Sequence, residues 1–164
     1  MRLYILRHAE AEATHPDPER ALTKKGRRTA EQLGRFLLRS GINDIGRVIH
    51  SPYRRAVETA VLCLDAMGTR VAAEPVNGLT PEDDTDEAVR IAREAEESLL
   101  IVGHNPHLSL LVARLLTGRD LGMGMQLKKG SLVCLESVPS IHVKAGNEYW
   151  TLRWAVTPKL YMTD

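Results

Sequence analysis

Short apolar runs along the chain end in polar residues, and segments with helical spacing of apolar positions follow them. Runs with the length and composition of buried strands lie at residues 2–7, 47–51 and 98–103. Weaker patterns place further strands at residues 71–74, 131–138 and 149–156. Gly146 and Asn147 favour a turn that makes the last two an antiparallel pair. Because strands alternate with helices, we predict an α/β fold, a three-layer α/β/α sandwich around a mostly parallel sheet.

The helices between and after these strands carry recognisable boundary residues. Helical periodicity predicts them at residues 24–39, 52–67, 86–97 and 106–118. Thr23 is suited to cap the first helix, and Ser51 with Pro52 to open the second. Asn105 is suited to cap the fourth. Each helix lies directly after a predicted strand or loop, as the layered fold requires.

Basic side chains and histidines follow the predicted strands. Arg7 and His8 end the first strand, Arg54 and Arg55 lie in the helix after the second, and His104 follows the third. The carboxyl ends of parallel strands share one edge, and open α/β sheets bind ligands in the crevice outside that edge. A pocket of imidazole and guanidinium groups suits a phosphoryl group.

Three segments resemble the motifs of the histidine phosphatase superfamily. Arg7-His8-Ala9 is similar to the family's Arg-His-Gly signature, residues 51–59 to its second arginine block, and residues 102–106 to its second histidine block. The motif order and the chain length resemble the small, SixA-type phosphohistidine phosphatases, over about residues 1–116. Ala9 stands where the signature has glycine, so a methyl group must be accommodated there.

The resemblance implies a role for each residue at the sheet edge. His8 would attack phosphorus and become transiently phosphorylated. Arg7, Arg55 and His104 would hold the transferring phosphoryl group and neutralise its charge. Arg55 directly precedes an alanine, as in the family pattern, and is therefore selected over Arg54, which could equally lie on a solvated helix face.

The general acid is not singled out by the resemblance. Glu82, Asp83 and Asp84 form an acidic loop, and family members that act on small phosphomonoesters use a carboxylate in this part of the chain. The alternative is a solvated acidic turn that caps the next helix. A phosphohistidine substrate depends less on an acid, because its P–N bond is reactive and its imidazole leaving group is readily protonated.

Metal binding is the alternative chemistry for the histidines. His8, His50, His104 and His107 could supply ligands. However, neighbouring arginines would repel a divalent cation, and no His-x-x-x-His spacing occurs. We therefore expect neither a metal nor another cofactor.

Composition limits the remaining function classes. A chain of 164 residues with 43% hydrophobic and 26% charged residues is expected to form a single domain over residues 1–164. Its net charge of +1 and the lack of a long apolar run predict no nucleic-acid partner and no membrane association. Cys63 and Cys134 are expected to be buried free thiols, and the expected location is the cytoplasm.

The sequence thus predicts a phosphatase that forms a phosphohistidine intermediate and releases inorganic phosphate. The expected substrate is phosphohistidine on a protein, such as a histidine phosphotransfer domain. One alternative is a phosphomonoesterase for a small phosphorylated metabolite, a sugar or nucleotide phosphate, with an acid from the loop. A second alternative, of another class, is a non-catalytic module that binds phosphate or senses phosphohistidine.

Overall fold

A computed structural model describes residues 1–119, 125–138 and 149–162 of the chain. The strands in this part are β1 (Arg2–Arg7), β2 (Ile45–His50), β3 (Ala73–Pro75), β4 (Ser98–Gly103), β5 (Leu132–Val138) and β6 (Tyr149–Val156). The helices are α1 (Lys24–Arg39), α2 (Arg54–Met67), α3 (Asp86–Glu94), α4 (His107–Thr117) and α5 (Pro158–Tyr161), with a 3₁₀ turn at Asp17–Glu19.

The strands form one sheet in the order β3-β2-β4-β1-β5-β6. β3, β2, β4 and β1 pair in parallel, whereas β5 is antiparallel to both β1 and β6. α1, α2 and α3 provide the crossovers that parallel pairing requires. The mostly parallel sheet and the antiparallel final pair are therefore confirmed, while the predicted turn at Gly146 and Asn147 lies outside the described residues.

Two apolar layers cover the sheet, one on each face, because successive strand side chains point to opposite sides. Leu6 belongs to the cluster formed with α1 and α2, and Ile5 to the cluster formed with α3 and α4. Gly34 allows α1 and α2 to pack closely, since a Cβ there would lie 2.2 Å from the carbonyl oxygen of Cys63. The three-layer sandwich is confirmed, and Cys63 and Cys134 are buried free thiols as predicted.

The predicted start of α2 and the predicted cap of α4 are wrong. α2 begins at Arg54 rather than at Ser51 and Pro52, because the backbone of Tyr53 is extended, with φ −68° and ψ 133°. Asn105 does not cap α4, since its Oδ1 has no hydrogen-bond partner among the described residues; its side-chain nitrogen donates to the carbonyl oxygen of Leu127 at 3.2 Å. Thr23, by contrast, caps α1 as predicted.

Other differences lie at element ends and in the C-terminal region. β2 begins two residues earlier than predicted, β3 covers 73–75 rather than 71–74, and α3 ends at Glu94 because Ala95 is extended. The short helix α5 has no periodicity of its own, and it is held by a hydrogen bond from Tyr161 to Gly130 O at 2.6 Å. Within the described residues, no helix combines the length and apolarity needed to cross a membrane.

Candidate active site

The carboxyl ends of β1, β2 and β4 bring His8, Arg55 and His104 together at one edge of the sheet. His8 follows β1, His104 follows β4, and Arg55 lies in the first turn of α2. The His8 backbone N–H donates to Gly103 O at 2.9 Å, and the two imidazole centroids are 4.9 Å apart. The three residues are only 5%, 4% and 1% exposed, so their chemistry takes place in a largely water-excluded setting.

The imidazole of His8 is held so that Nε2 faces the other site residues. Nδ1 lies 2.6 Å from Ala9 O and donates to it, which leaves the lone pair on Nε2. Arg55 Nε donates to this Nε2 at 3.3 Å. Burial, reinforced by the charges of Arg55 and Arg7 and opposed by the bond to Ala9, lowers the pKa of His8 to about 3. His8 is therefore neutral at physiological pH, as a nitrogen nucleophile must be.

The structure has space for the methyl group that Ala9 carries in place of the glycine of the family signature. Its side chain is fully buried and packs with Ala11, Leu22 and Leu62. Its backbone N–H donates to Thr59 Oγ1 at 3.1 Å, while its carbonyl accepts from His8. The methyl group therefore points into a small apolar cluster, and the backbone still orients the His8 ring.

Arg55 is held on two sides of its guanidinium group. Nη1 donates to Asp17 O at 2.7 Å and Nη2 to Asp17 Oδ2 at 2.9 Å, while Nε faces His8. The ring of Tyr53 lies 5.0 Å from the guanidinium carbon. The Arg54 side chain is 59% exposed and forms an ion pair within α2. The structure therefore places Arg55, and not Arg54, beside His8.

Arg7 is fixed by the segment that precedes β5. Its Nη1 donates to Leu127 O at 2.6 Å, and the Gly130 N–H donates to the Arg7 carbonyl at 3.0 Å. Burial, followed by the charge of Arg55, lowers the pKa of Arg7. Arg7 Nε is buried without a hydrogen-bond partner among the described residues. A buried guanidinium donor of this kind is suited to an anionic acceptor.

His104 is oriented by the hydroxyl group of Ser51. His104 Nε2 lies 2.8 Å from Ser51 Oγ, which accepts from the Tyr53 N–H at 3.3 Å and so has its own proton free for the imidazole. When the Ser51 hydroxyl donates to Nε2, the proton of neutral His104 lies on Nδ1, a buried atom without a partner among the described residues. Burial, followed by His8 and Arg55, lowers the pKa of His104 to about 2. In that tautomer His104 Nδ1 carries an N–H group that is available as a hydrogen-bond donor.

The three carboxylates of the acidic loop have different surroundings. Asp83 Oδ2 accepts from the Thr80 N–H at 2.7 Å, which lowers the pKa of Asp83. Asp84 Oδ1 accepts from the Asp86 N–H at 2.9 Å, at the start of α3. Glu82 is exposed and has no hydrogen bond or ion pair within the described residues. Asp83 and Asp84 thus form the acidic turn, and Glu82 alone has a carboxylate that is not engaged by it.

Glu82 lies on the Tyr53 side of the site. After burial, the charges of Glu82, Asp17 and Asp83 raise the pKa of the Tyr53 phenol. The edge of the Tyr53 ring also approaches His104, with centroids 5.1 Å apart. Tyr53 therefore contacts Arg55 and His104, and the charges of Glu82 and Asp83 act on its phenol.

The other two histidines considered as metal ligands are each hydrogen-bonded to a backbone carbonyl. His50 Nδ1 lies 2.9 Å from Ser51 O, and His107 Nε2 lies 3.1 Å from Asp84 O. Among residues 1–119, 125–138 and 149–162, no group of three or more His, Cys, Asp or Glu side chains is arranged to hold a metal ion. Of the four histidines considered as ligands, His8 and His104 thus lie together at the site, with ring centroids 4.9 Å apart.

Asp17, Ser51 and Leu127 contribute to the site geometry, although the sequence analysis gave them no such role. The only local signal for Asp17 is a carboxylate between two prolines in the loop after β1. Ser51 does carry a signal, since a hydroxyl at a strand end beside candidate site residues can orient an imidazole as well as cap a helix. The Leu127 carbonyl has none, because any residue supplies the same acceptor.

Comparison with known proteins gives concordant matches. The model of the histidine phosphatase superfamily (branch 1) matches residues 3–79. The phosphohistidine phosphatase SixA homolog of Haemophilus influenzae is 31% identical over 131 residues, covering 73% of this chain and 80% of the relative. The protein histidine phosphatase SixA complexed with tungstate has a TM-score of 0.83 at 24% identity, covering 98% of this chain and 99% of that one. The alpha-ribazole phosphatase of Shigella flexneri has a TM-score of 0.72 at 20% identity, covering 96% and 97%.

The chain belongs to the histidine phosphatase superfamily and is of the SixA type. It is accordingly a hydrolase that acts as a phosphatase, and its substrates are phosphorylated compounds. At their level of identity the solved structures establish the fold alone, and that fold agrees with the predicted α/β architecture. Membership of this family favours an enzyme over the non-catalytic binding module.

Proposed function

We propose that the protein removes the phosphoryl group from phosphohistidine on another protein, with His8 as the nucleophile. His8 Nε2 attacks phosphorus, the P–N bond to the substrate imidazole breaks, and that imidazole takes up a proton as it leaves. Water then attacks the phosphoryl group on His8, the Nε2–P bond breaks, and inorganic phosphate is released. Arg7, Arg55 and His104 hold the phosphoryl oxygens in both steps.

One observation carries the mechanism: a buried, neutral His8 whose Nε2 faces the buried guanidinium group of Arg55. Its Nδ1 is committed to Ala9 O at 2.6 Å, so that only Nε2 can attack. Arg7 Nε and His104 Nδ1 are buried nitrogen atoms without partners among the described residues. Arg55 Nε lies 3.3 Å from His8 Nε2, the two imidazole centroids are 4.9 Å apart, and the charge of Arg7 also acts on His8.

The state of the acidic loop favours phosphohistidine as the substrate. Asp83 and Asp84 are engaged in the turn before α3, and the lowered pKa of Asp83 makes it a poor proton donor at neutral pH. A phosphomonoester needs a positioned acid for its alkoxide leaving group. The imidazole of phosphohistidine is a better leaving group and has less need of one. The names of the SixA relatives support the same substrate.

A small-molecule phosphomonoesterase is the second candidate, and Glu82 is the observation in its favour. Its carboxylate is exposed, not engaged in the turn, and close enough to Tyr53 to affect the phenol electrostatically. The alpha-ribazole phosphatase with a similar fold acts, by its name, on a small phosphorylated compound. In this case Glu82 would protonate the leaving oxygen.

A trapping experiment tests the nucleophile. Rapid acid-free quenching after mixing with a radiolabelled phosphohistidine phosphotransfer domain is expected to yield acid-labile, alkali-stable phosphate on the enzyme. His8→Asn should abolish this label, whereas His15→Asn, at an exposed histidine, should retain it. An unlabelled wild-type enzyme, or a labelled His8→Asn variant, would contradict the mechanism.

A substrate panel tests the preference. Rates are compared for a phosphohistidine protein, a phosphoserine peptide and a sugar phosphate, without added metal. We expect the highest kcat/KM for the phosphohistidine protein. A higher value for the sugar phosphate would instead support the phosphomonoesterase. We further propose that the enzyme acts in the cytoplasm, where its buried thiols Cys63 and Cys134 would remain reduced.

A further inference from the structure

Asp17 contacts the guanidinium group of Arg55 at two points, although it lies 38 residues earlier in the chain. Its carbonyl oxygen accepts from Nη1 at 2.7 Å and its carboxylate from Nη2 at 2.9 Å. Arg55 is 4% exposed. Asp17 is its carboxylate partner, and a buried guanidinium without such a partner would carry a large desolvation cost.

The two contacts leave a different edge of Arg55 free for chemistry. Guanidinium nitrogens are coplanar, so their N–H groups point in fixed directions from several edges. Asp17 occupies the edge formed by Nη1 and Nη2. The Nε edge faces His8 Nε2 at 3.3 Å, where the transferring phosphoryl group would lie. Asp17 and an oxyanion therefore bind different edges of Arg55 and do not compete for the same one.

The loop that contains Asp17 is held in place by backbone and side-chain hydrogen bonds. Ala11 and Leu22 form an antiparallel bridge at its base, and the Leu22 N–H donates to Glu58 in α2 at 2.8 Å. Arg20 donates to the second carboxylate oxygen of Asp17 at 2.8 Å. The loop is thus attached to the same helix that bears Arg55, and the Asp17 carboxylate is held from both sides.

We propose that Asp17 is a positioning residue that fixes the Nε edge of Arg55 toward the phosphoryl group. Asp17 does not touch the reacting atoms, and it acts through Arg55. This inference rests on the proposed function, since it assigns Arg55 to the phosphoryl oxygens. It adds a residue of the loop after β1 to the oxyanion site.

Binding of inorganic phosphate and of tungstate, measured by calorimetric titration, tests this role without requiring turnover. Asp17→Asn removes the charge and keeps the side-chain size. We expect it to weaken oxyanion binding about tenfold to hundredfold, the range for a hydrogen bond to a charged group. Glu19→Gln removes the same charge from an exposed residue of the same 3₁₀ turn and should change binding less than about twofold.

A double-mutant cycle separates action through Arg55 from a general effect on the loop. In the Arg55→Lys background, Asp17→Asn should weaken binding by less than about twofold, because the group it positions has been removed. An equal loss in both backgrounds would overturn the proposal. So would tighter binding by Asp17→Asn, which would mark Asp17 as a competitor of the oxyanion. Thermal melts of each variant establish that the compared proteins are folded.

The outcome for the wild-type protein distinguishes this inference from the proposed function. If the wild-type binds neither oxyanion, both are overturned, because Arg55 then has no anion to hold. If the wild-type binds and Asp17→Asn binds equally well, only the role of Asp17 is overturned. If Asp17→Asn weakens oxyanion binding in the wild-type background but not in the Arg55→Lys background, the role of Asp17 and the proposed function are both supported.

Discussion

The buried histidines of the site are expected to make the folded protein sensitive to mild acid. His8 and His104 have pKa values of about 3 and about 2 in the folded state, mainly because of burial. In the unfolded chain both return to about 6.5. Between these values the unfolded state binds protons that the folded state does not, so the free energy of unfolding falls as the pH drops below about 6.5.

The size of the effect depends on the unfolded pKa and hardly on the exact folded value. At pH 5 a histidine that stays neutral in the folded state lies about 1.5 units below its unfolded pKa, which corresponds to about 2 kcal/mol. His8 and His104 together should thus lower the free energy of unfolding by about 4 kcal/mol between pH 7.5 and pH 5. The depressed pKa of His107 acts in the same direction. Carboxylates such as Asp17, whose pKa values are lowered, lose their contribution mainly below this range.

Urea unfolding at pH 7.5 and pH 5, followed by tryptophan fluorescence from Trp150 and Trp154, measures this difference. Replacing His8 by Gln should reduce the pH-dependent loss by about 2 kcal/mol, because glutamine does not titrate. Any constant effect of the substitution cancels when the two pH values are compared. His15→Gln, at an exposed position, should behave as the wild-type. An undiminished loss in His8→Gln would show that His8 is not held neutral by its surroundings.

Three further predictions concern catalysis. Arg55→Lys should lower kcat/KM by about 10²-fold or more, because an ammonium cannot replace the buried guanidinium. Arg54→Lys, at an exposed position, should change kcat/KM less than about twofold. The reverse order of the two effects would refute the register of the second motif. Ser51→Ala should lower kcat/KM about tenfold, because it removes the hydroxyl that keeps the His104 proton on Nδ1 rather than on Nε2. Unchanged kinetics would refute this tautomer. Glu82→Gln should leave phosphohistidine hydrolysis nearly unchanged but lower phosphomonoester hydrolysis by about 10²-fold. Asp83→Asn and Asp84→Asn should lower only the melting temperature. Loss of phosphohistidine hydrolysis in Glu82→Gln would make the phosphomonoesterase the better candidate.

The parts of the fold that were predictable are those encoded by neighbouring residues. β1, β4 and α1 follow from runs and spacings within single segments, and Thr23 caps α1 through Gly26, three residues away. The placement of His8 and His104 at one edge of the sheet followed from the same local patterns and the rule for parallel sheets. The end of α3 and the single turn α5 were not predictable, because tertiary contacts rather than propensity decide them.

The contacts that orient the site could not be derived from sequence. The bond between Ser51 and His104 joins residues 53 positions apart, and that between Arg7 and the Leu127 carbonyl joins residues 120 apart. Each depends on the final sheet order and on loop conformation. Ser51 illustrates the difficulty, because a serine before a proline suits a helix cap on local grounds. Its hydroxyl is hydrogen-bonded to His104 Nε2 as well as to the Tyr53 N–H, and the contact with His104 depends on the pairing of β2 with β4.

The pKa values of the site indicate which of its residues are charged and which are neutral at physiological pH. Positive charge comes from Arg7 and Arg55, which remain charged even when buried. His8 and His104 remain neutral because protonation would place a further cation beside these arginines in a water-excluded setting. The phosphoryl group therefore meets a fixed positive charge and an unprotonated nucleophile over a wide pH range. Burial keeps His8 neutral and so available for attack, and the same burial lowers the free energy of unfolding in acid. The nucleophilic state of His8 and the acid sensitivity of the fold therefore have one physical cause.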